Sequence, residues 1–214
     1  MEKTDNDEDL PVPVSFWTRG LGVVYIGAYA RVRKGLIFRK MDKKREIYWF
    51  ALTVFKNLPG LVDTFSQMGW ETFRAYTLEE KIEGTRIVKK EVPLVRSLLF
   101  VNCPMKELVD FKYKNNDWFM YYKDASGKDP GPVKDNEMKA FMLVTSIRDG
   151  NLRVLGEDRP EYHQGDKVRV IGGPYKGAEG YIKRIRRSRE LLVCIEGVTV
   201  VAISKVPPEY LEKI

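Results

Sequence analysis

The sequence from residue 165 to 182, GDKVRVIGGPYKGAEGYI, restricts the possible fold of this chain more than any other stretch. Its two ends are rich in β-branched and aromatic residues, which pack well on a pleated sheet. Its centre holds Gly172, Gly173, Pro174, Gly177 and Gly180. Proline fixes φ, and glycine adopts backbone conformations that other residues avoid. The pattern therefore predicts a sharply bent connection between two strands and excludes a helix.

The charge of the chain is unevenly distributed along its 214 residues, a length that fits one large domain or two small ones. The net charge is +7. Most of the positive excess lies in residues 17–46 and 161–214, whereas residues 47–160 are nearly neutral. A positive surface attracts phosphate backbones without regard to sequence.

Cysteine and histidine, which carry much of enzyme catalysis and bind zinc, are scarce in this sequence. Cys103 and Cys194 are far apart, so we predict no disulfide framework and no zinc site, and we expect a reducing cytoplasm. His163 is the one histidine and falls in a predicted linker. There is no phosphate-binding loop, dinucleotide fingerprint or metal-ligand spacing. We therefore predict a protein that is not an enzyme and needs no cofactor and no metal.

Residues 1–46 form an unusual N-terminal extension, acidic at first, then apolar, then basic. The apolar run is about half the ~20 residues that cross a bilayer, so no membrane segment is predicted. Two interpretations stay open. The extension is either a basic arm that docks on nucleic acid or on the rest of the protein, or upstream sequence ahead of a true start at Met41.

Hydrophobic periodicity divides the remaining chain into three parts. Residues 47–147 alternate strand and helix patterns, which predicts an α+β sandwich domain. Residues 148–163 mix charge with glycine and proline and are expected to be a linker. Residues 164–214 contain four short strand patterns around the glycine-rich turn, which predicts a small SH3-like β-barrel.

The glycine-rich stretch resembles the KOW motif, since it matches G-D-x-V-x-V-x-x-G-P-x-x-G-x-x-G throughout. With the preceding domain, it makes residues 47–207 similar to the NusG family of transcription elongation factors. The opening strand YWFALTVFKN places Trp49 and Phe50 at the family's aromatic pair. The strand VPLVRSLLFV departs from the family at 96–98, where Arg-Ser-Leu replaces Pro-Gly-Tyr. This departure is typical of a specialised, UpxY-like paralogue that serves one long operon.

The resemblance implies a monomeric cytoplasmic factor that binds the β′ clamp helices of bacterial RNA polymerase and suppresses pausing or termination. It implies further contacts with upstream DNA or nascent RNA. The KOW unit would bind a small-subunit ribosomal protein or Rho. Carried over by position, the polymerase contact comprises Phe50, Phe55, Leu94, Val95 and Leu98.

A basic run near the end of the chain is the candidate nucleic-acid contact. It contains Lys183, Arg184, Arg186, Arg187 and Arg189. Each lysine or arginine on a phosphate adds to a salt-dependent affinity, but a solvated hairpin tip explains the run equally well. The alternative function is accordingly an RNA- or ribosome-binding KOW protein. Against this alternative, ribosomal KOW proteins lack the preceding α+β unit. A third option is a translation factor related to elongation factor P, which also has a KOW-like barrel, but there the barrel comes first in the chain.

Overall fold

The structure is a computed structural model that describes residues 46–84, 86–147, 151–185 and 188–214. The predicted extension lies outside these residues apart from its last position. The strands are β1 Ile47–Val54, β2 Glu71–Phe73, β3 Tyr76–Glu83, β4 Arg86–Pro93, β5 Leu98–Pro104, β6 Phe119–Tyr121, β7 Pro132–Val133, β8 Leu152–Gly156, β9 Asp166–Val170, β10 Glu179–Ile185, β11 Ser188–Ile195, β12 Thr199–Ser204 and β13 Leu211–Lys213. The helices are α1 Leu58–Gln67, α2 Met105–Lys114 and α3 Asp135–Ser146.

The first sheet is antiparallel, with the order β2-β5-β1-β6, and β7 also pairs with β1. The middle of its central strand β1, from Phe50 to Leu52, is buried on both faces, as the apolar sequence predicts, whereas Ile47 and Tyr48 at its start are exposed. Phe50 and Leu52 pack in a cluster with residues of α1 and α2. Ala51 belongs to a second cluster that contains Phe141 of α3. The sheet is therefore covered by helices on both faces.

Local signals fix the limits of α1. The Asn57 side chain accepts a hydrogen bond from the Gly60 backbone N–H at 3.3 Å, and Pro59 lies in the first turn. Gly69, just beyond the helix, has a φ of 76°, which a residue with a side chain rarely adopts. The helix predicted from these residues is confirmed.

β3 and β4 form a separate two-stranded hairpin, paired from Tyr76↔Pro93 to Glu83↔Arg86. The sequence predicts an extended hairpin or a mobile loop at 79–90, and the hairpin is what forms. Its base is fastened by the Leu94 N–H, which donates to the Ala75 carbonyl at 2.9 Å. The outer part is exposed to solvent.

The second sheet is antiparallel and has six strands in the order β13-β9-β10-β11-β12-β8. Four of them are the strands predicted around the glycine-rich turn. The other two were not predicted. β8 lies inside the segment predicted to be a linker and pairs with β12, and a 3-10 turn follows at Pro160–His163. β13 pairs with β9 near the end of the chain.

Helix α3 lies between the two sheets. Phe141 packs against Phe100 of the first sheet, with ring centroids 5.4 Å apart. The opposite flank contacts β10 and β11, where the Glu196 backbone N–H donates to the Glu137 carboxylate at 2.9 Å. A single apolar cluster consequently runs from Phe100 through α3 to Val193. The described residues all belong to one compact unit.

Candidate interaction surfaces

Phe50 does not belong to the surface to which the sequence assigned it. Its side chain is completely buried in the cluster with α1 and α2. Side chains alternate between faces along a strand, so Phe50 points to the opposite face from Trp49 and Ala51. In this structure Phe50 can only support a partner-binding surface from within the core.

Leu94, Val95 and Leu98 lie together at the turn between β4 and β5. Leu98 is itself buried, whereas Leu94 and Val95 are half-buried and pack against the cluster around α3. An apolar crevice too narrow for a water molecule is lined by Ala75, Val95, Leu98, Phe100 and Phe141. A charge placed at position 98 would therefore disturb folding itself.

Arg74 holds this turn against the base of the hairpin. Its guanidinium donates to the Arg96 carbonyl and lies over the Tyr76 ring, 5.7 Å from the ring centroid. Its Nε atom is buried without a hydrogen-bond partner. A buried donor without a partner costs free energy, so the packing of the turn outweighs that cost here.

Phe55 lies at the same end of the first sheet. The Val54 N–H donates to the Ser97 carbonyl, and the Phe55 N–H donates to the Trp118 carbonyl. Because the strand ends here, the Phe55 side chain leaves the core and is 57% exposed. Of the five predicted contact residues, Phe55 is the most accessible to a partner.

The hairpin carries a further apolar feature that the sequence did not single out. Ile82 and Ile87 are directly opposite each other near its end, 79% and 68% exposed respectively. Monomeric proteins usually expose isoleucines singly, so an exposed cross-strand pair indicates a contact surface. The signal in the sequence was an isoleucine on each side of the Gly84 turn.

The predicted glycine positions of the turn between β9 and β10 each have a structural reason. Gly173 and Gly177 have φ values of 72° and 95°. The Gly177 N–H donates to the Val170 carbonyl at 2.7 Å, which closes the bend. A β-carbon on Gly172 would meet the Tyr210 ring at 2.7 Å. Sequence reasoning missed Tyr210, which comes from the 3-10 turn Pro208–Tyr210.

The basic cluster is described in part, because Arg186 and Arg187 lie outside the described residues. Lys183 donates to the Glu161 carbonyl at 2.6 Å and lies 5.2 Å from the centroid of the Tyr162 ring. Arg184 and Arg189 are exposed and directly opposite each other across β10 and β11. Like charges in that position repel, and a bound anion would relieve the repulsion.

The described residues define a mixed α/β protein with few helices and many strands, whose candidate surfaces are two exposed apolar areas and one basic edge. Within the described residues, no helix is long and apolar enough to span a membrane. No protein-family model and no curated protein matches the chain.

Among solved structures, the chain is similar to NusG of Thermotoga maritima, in a structure that concerns domain interaction in that protein. The two chains share 20% sequence identity and superpose with a TM-score of 0.38. The match covers 79% of this chain and 98% of the other. A TM-score of this size carries no argument about function.

Proposed function

We propose that this protein is a transcription elongation or antitermination factor that binds bacterial RNA polymerase. The observation that carries the proposal is the KOW-like glycine turn between β9 and β10, which follows a helix-covered antiparallel sheet in the same chain. In the NusG family, which the sequence resembles, this order pairs a polymerase-binding domain with a KOW barrel.

The polymerase contact is formed by Leu94, Val95 and Phe55 in this proposal. Leu94 and Val95 are half-buried and Phe55 is exposed, whereas Phe50 and Leu98 support them from inside. A mainly apolar contact of this kind fits the predicted interaction with the β′ clamp helices. An exposed apolar patch is a normal signature of a protein-binding site.

The hairpin β3–β4 supplies the second contact. It extends from the same turn that carries Leu94 and ends near the exposed pair Ile82 and Ile87. The first contact would hold the clamp on one side of the polymerase cleft, and the hairpin would reach the other side. A factor bound at both sides restrains the opening of the clamp. That restraint is how the chain would suppress pausing or termination. The departure at 96–98 supports a specialised paralogue that acts on one long operon.

The test is a pull-down of the full chain with bacterial core RNA polymerase, followed by transcription through a defined pause site. We expect a stable complex and a shorter pause lifetime. If the polymerase does not bind and the pause lifetime is unchanged, the proposal is wrong.

A second candidate, binding to structured RNA, is favoured by Arg184 and Arg189. Their exposed side chains face each other across two strands and suit a bridging phosphate. Filter binding of the full chain to a structured ribosomal RNA fragment separates the two functions. RNA binding without polymerase binding would favour the second candidate.

A further inference from the structure

Three side chains with metal-binding groups converge beside the turn between β11 and β12. Asp158 follows β8, His163 ends the 3-10 turn Pro160–His163, and Cys194 lies in β11. One donor atom of each lies within 4.8 Å of the other two. His163 is the one histidine of the full sequence, and Cys194 is one of its two cysteines.

The three groups are already oriented towards each other. The His163 Nε2 atom lies 2.9 and 2.8 Å from the two carboxylate oxygens of Asp158. The Gly197 N–H donates to the same carboxylate at 3.0 Å. The His163 ring packs edge-on against Tyr181, with centroids 5.3 Å apart. The contacts from Gly197 and Tyr181 hold Asp158 and His163 in place from outside the cluster, as outer-shell partners hold metal ligands.

The surroundings also favour a cation. The Asp158 side chain is only 6% exposed, and in the described part of the chain its ion pair is with His163, which is neutral unless protonated. A carboxylate held in a nearly buried position attracts a cation.

We propose that Asp158, His163 and Cys194 bind one zinc ion. Thiolate, imidazole and carboxylate are all ligands of Zn²⁺, whereas Mg²⁺ and Ca²⁺ select oxygen ligands. Around tetrahedral zinc, neighbouring donor atoms are separated by roughly 3.3 to 3.6 Å. The 2.8 Å contact between His163 Nε2 and the Asp158 carboxylate must therefore widen by roughly 0.5 Å. The His163 side chain is 30% exposed, which leaves room for a water molecule as the fourth ligand.

Zinc binding displaces a proton from the Cys194 thiol. The Cys194 S–H bond is replaced by a zinc–sulfur bond, and the proton leaves to solvent. In the structure the Nε2–H group of His163 donates to the Asp158 carboxylate, so this proton moves to Nδ1 of the neutral imidazole before the Nε2 lone pair binds zinc. Asp158 exchanges its hydrogen bond with His163 for a bond to the same ion. The zinc ion thereby links β11 to the segment that runs from the end of β8 through the 3-10 turn.

The proposal is tested by cobalt and zinc binding to the full chain, purified without a histidine tag and stripped with a chelator. We expect one equivalent of Co²⁺ to bind, with a sulfur-to-cobalt charge-transfer band, and Zn²⁺ to displace it. The band should be lost in Cys194→Ala and retained in Cys103→Ala, because Cys103 lies in the separate cluster with α1 and α2. Zinc should raise the melting temperature of the wild type and of Cys103→Ala only.

A second variant keeps the test decisive if Cys194→Ala folds poorly. His163→Gln changes a partly exposed side chain, and we expect it to fold and to bind Zn²⁺ at least tenfold more weakly in competition with a chromogenic chelator. The proposal is overturned if the wild type binds no metal, if the charge-transfer band survives Cys194→Ala, or if His163→Gln binds zinc as tightly as the wild type.

Discussion

The carbonyl oxygen of Leu192 in β11 lies so close to Gly180 in β10 that a β-carbon on Gly180 would approach it to 2.2 Å. The obstacle is backbone in the middle of a paired sheet and cannot move without disturbing the neighbouring hydrogen bonds. Gly172 has a different obstacle, the Tyr210 ring at 2.7 Å, which belongs to a side chain near the chain end.

We therefore predict that Gly180→Ala lowers the free energy of unfolding by roughly 1–3 kcal/mol, the usual cost of overpacking. Gly172→Ala should cost less, because the Tyr210 ring can rotate away. Denaturant unfolding of both variants measures the difference. Equal losses would show that the Gly180 backbone adjusts more freely than its pairing with β9 and β11 indicates.

Phe55→Ser should weaken polymerase binding about tenfold or more, the range typical of an interface hot spot. Because Phe55 is already exposed, the variant should unfold at the same temperature as the wild type. Tyr113→Ser is the matched control, since Tyr113 is an aromatic residue 90% exposed on α2. Surface plasmon resonance with core RNA polymerase gives both affinities. Similar losses in the two variants would contradict the proposed contact.

Arg189→Glu should affect stability and anion binding in opposite directions. An acidic residue opposite Arg184 replaces repulsion with attraction, so the free energy of unfolding should rise by roughly 0.2–1 kcal/mol. If the arginine pair contacts phosphate, affinity for the structured RNA fragment should fall, and the slope of log affinity against log salt concentration should become shallower by roughly 1 per lost phosphate contact. Lys128→Glu, in the loop after β6, changes the charge equally and should leave the slope unchanged.

The ion pair between Lys56 and Asp117 provides a test by pH. Lys56 Nζ lies 2.7 Å from the Asp117 carboxylate. The hydrogen bond from Lys56 is the main cause that lowers the pKa of Asp117. A lowered folded-state pKa stabilises the protein above the ordinary pKa of aspartate, and this contribution is lost as pH falls through the folded value. Lys56→Met should raise the Asp117 pKa in an NMR titration, whereas Lys139→Met should not.

Cys103 should resist alkylation in the folded protein. Burial is the main reason that the pKa of its thiol is raised to about 12, so almost no thiolate exists at neutral pH. In the wild type, iodoacetamide should react with Cys103 only after denaturant is added, as mass spectrometry of the peptide that contains Cys103 would show. Rapid labelling without denaturant would mean that the cluster around Phe65 opens frequently.

Elements with local signals could be predicted from the sequence. The cap at Asn57 limits α1, and the glycines at 172–180 specify the bend between β9 and β10. In contrast, β8 and β13 each pair with a strand that is distant in sequence, and no short-range pattern encodes such pairing. Charge, glycine and proline around β8 indicated a linker, but contact with β12 outweighed those local preferences.

The orientation of Phe50 could not be predicted for a related reason. When both faces of a strand are buried, polar and apolar residues no longer alternate, and the pattern does not tell which side chain faces which layer. The cluster of Asp158, His163 and Cys194 was missed because its spacing matches no zinc motif. Folding brings these residues together through the turn between β11 and β12.

Helix α3 packs one flank against each of the two sheets. This arrangement determines how the protein responds to heat and to force. Because Phe141 and Val144 are completely buried in a cluster shared by both sheets, neither sheet can separate without exposing apolar surface to water. The two halves should therefore melt in one calorimetric transition. A partner that separates the two halves must therefore bind with enough free energy to offset the exposure of this apolar surface to water.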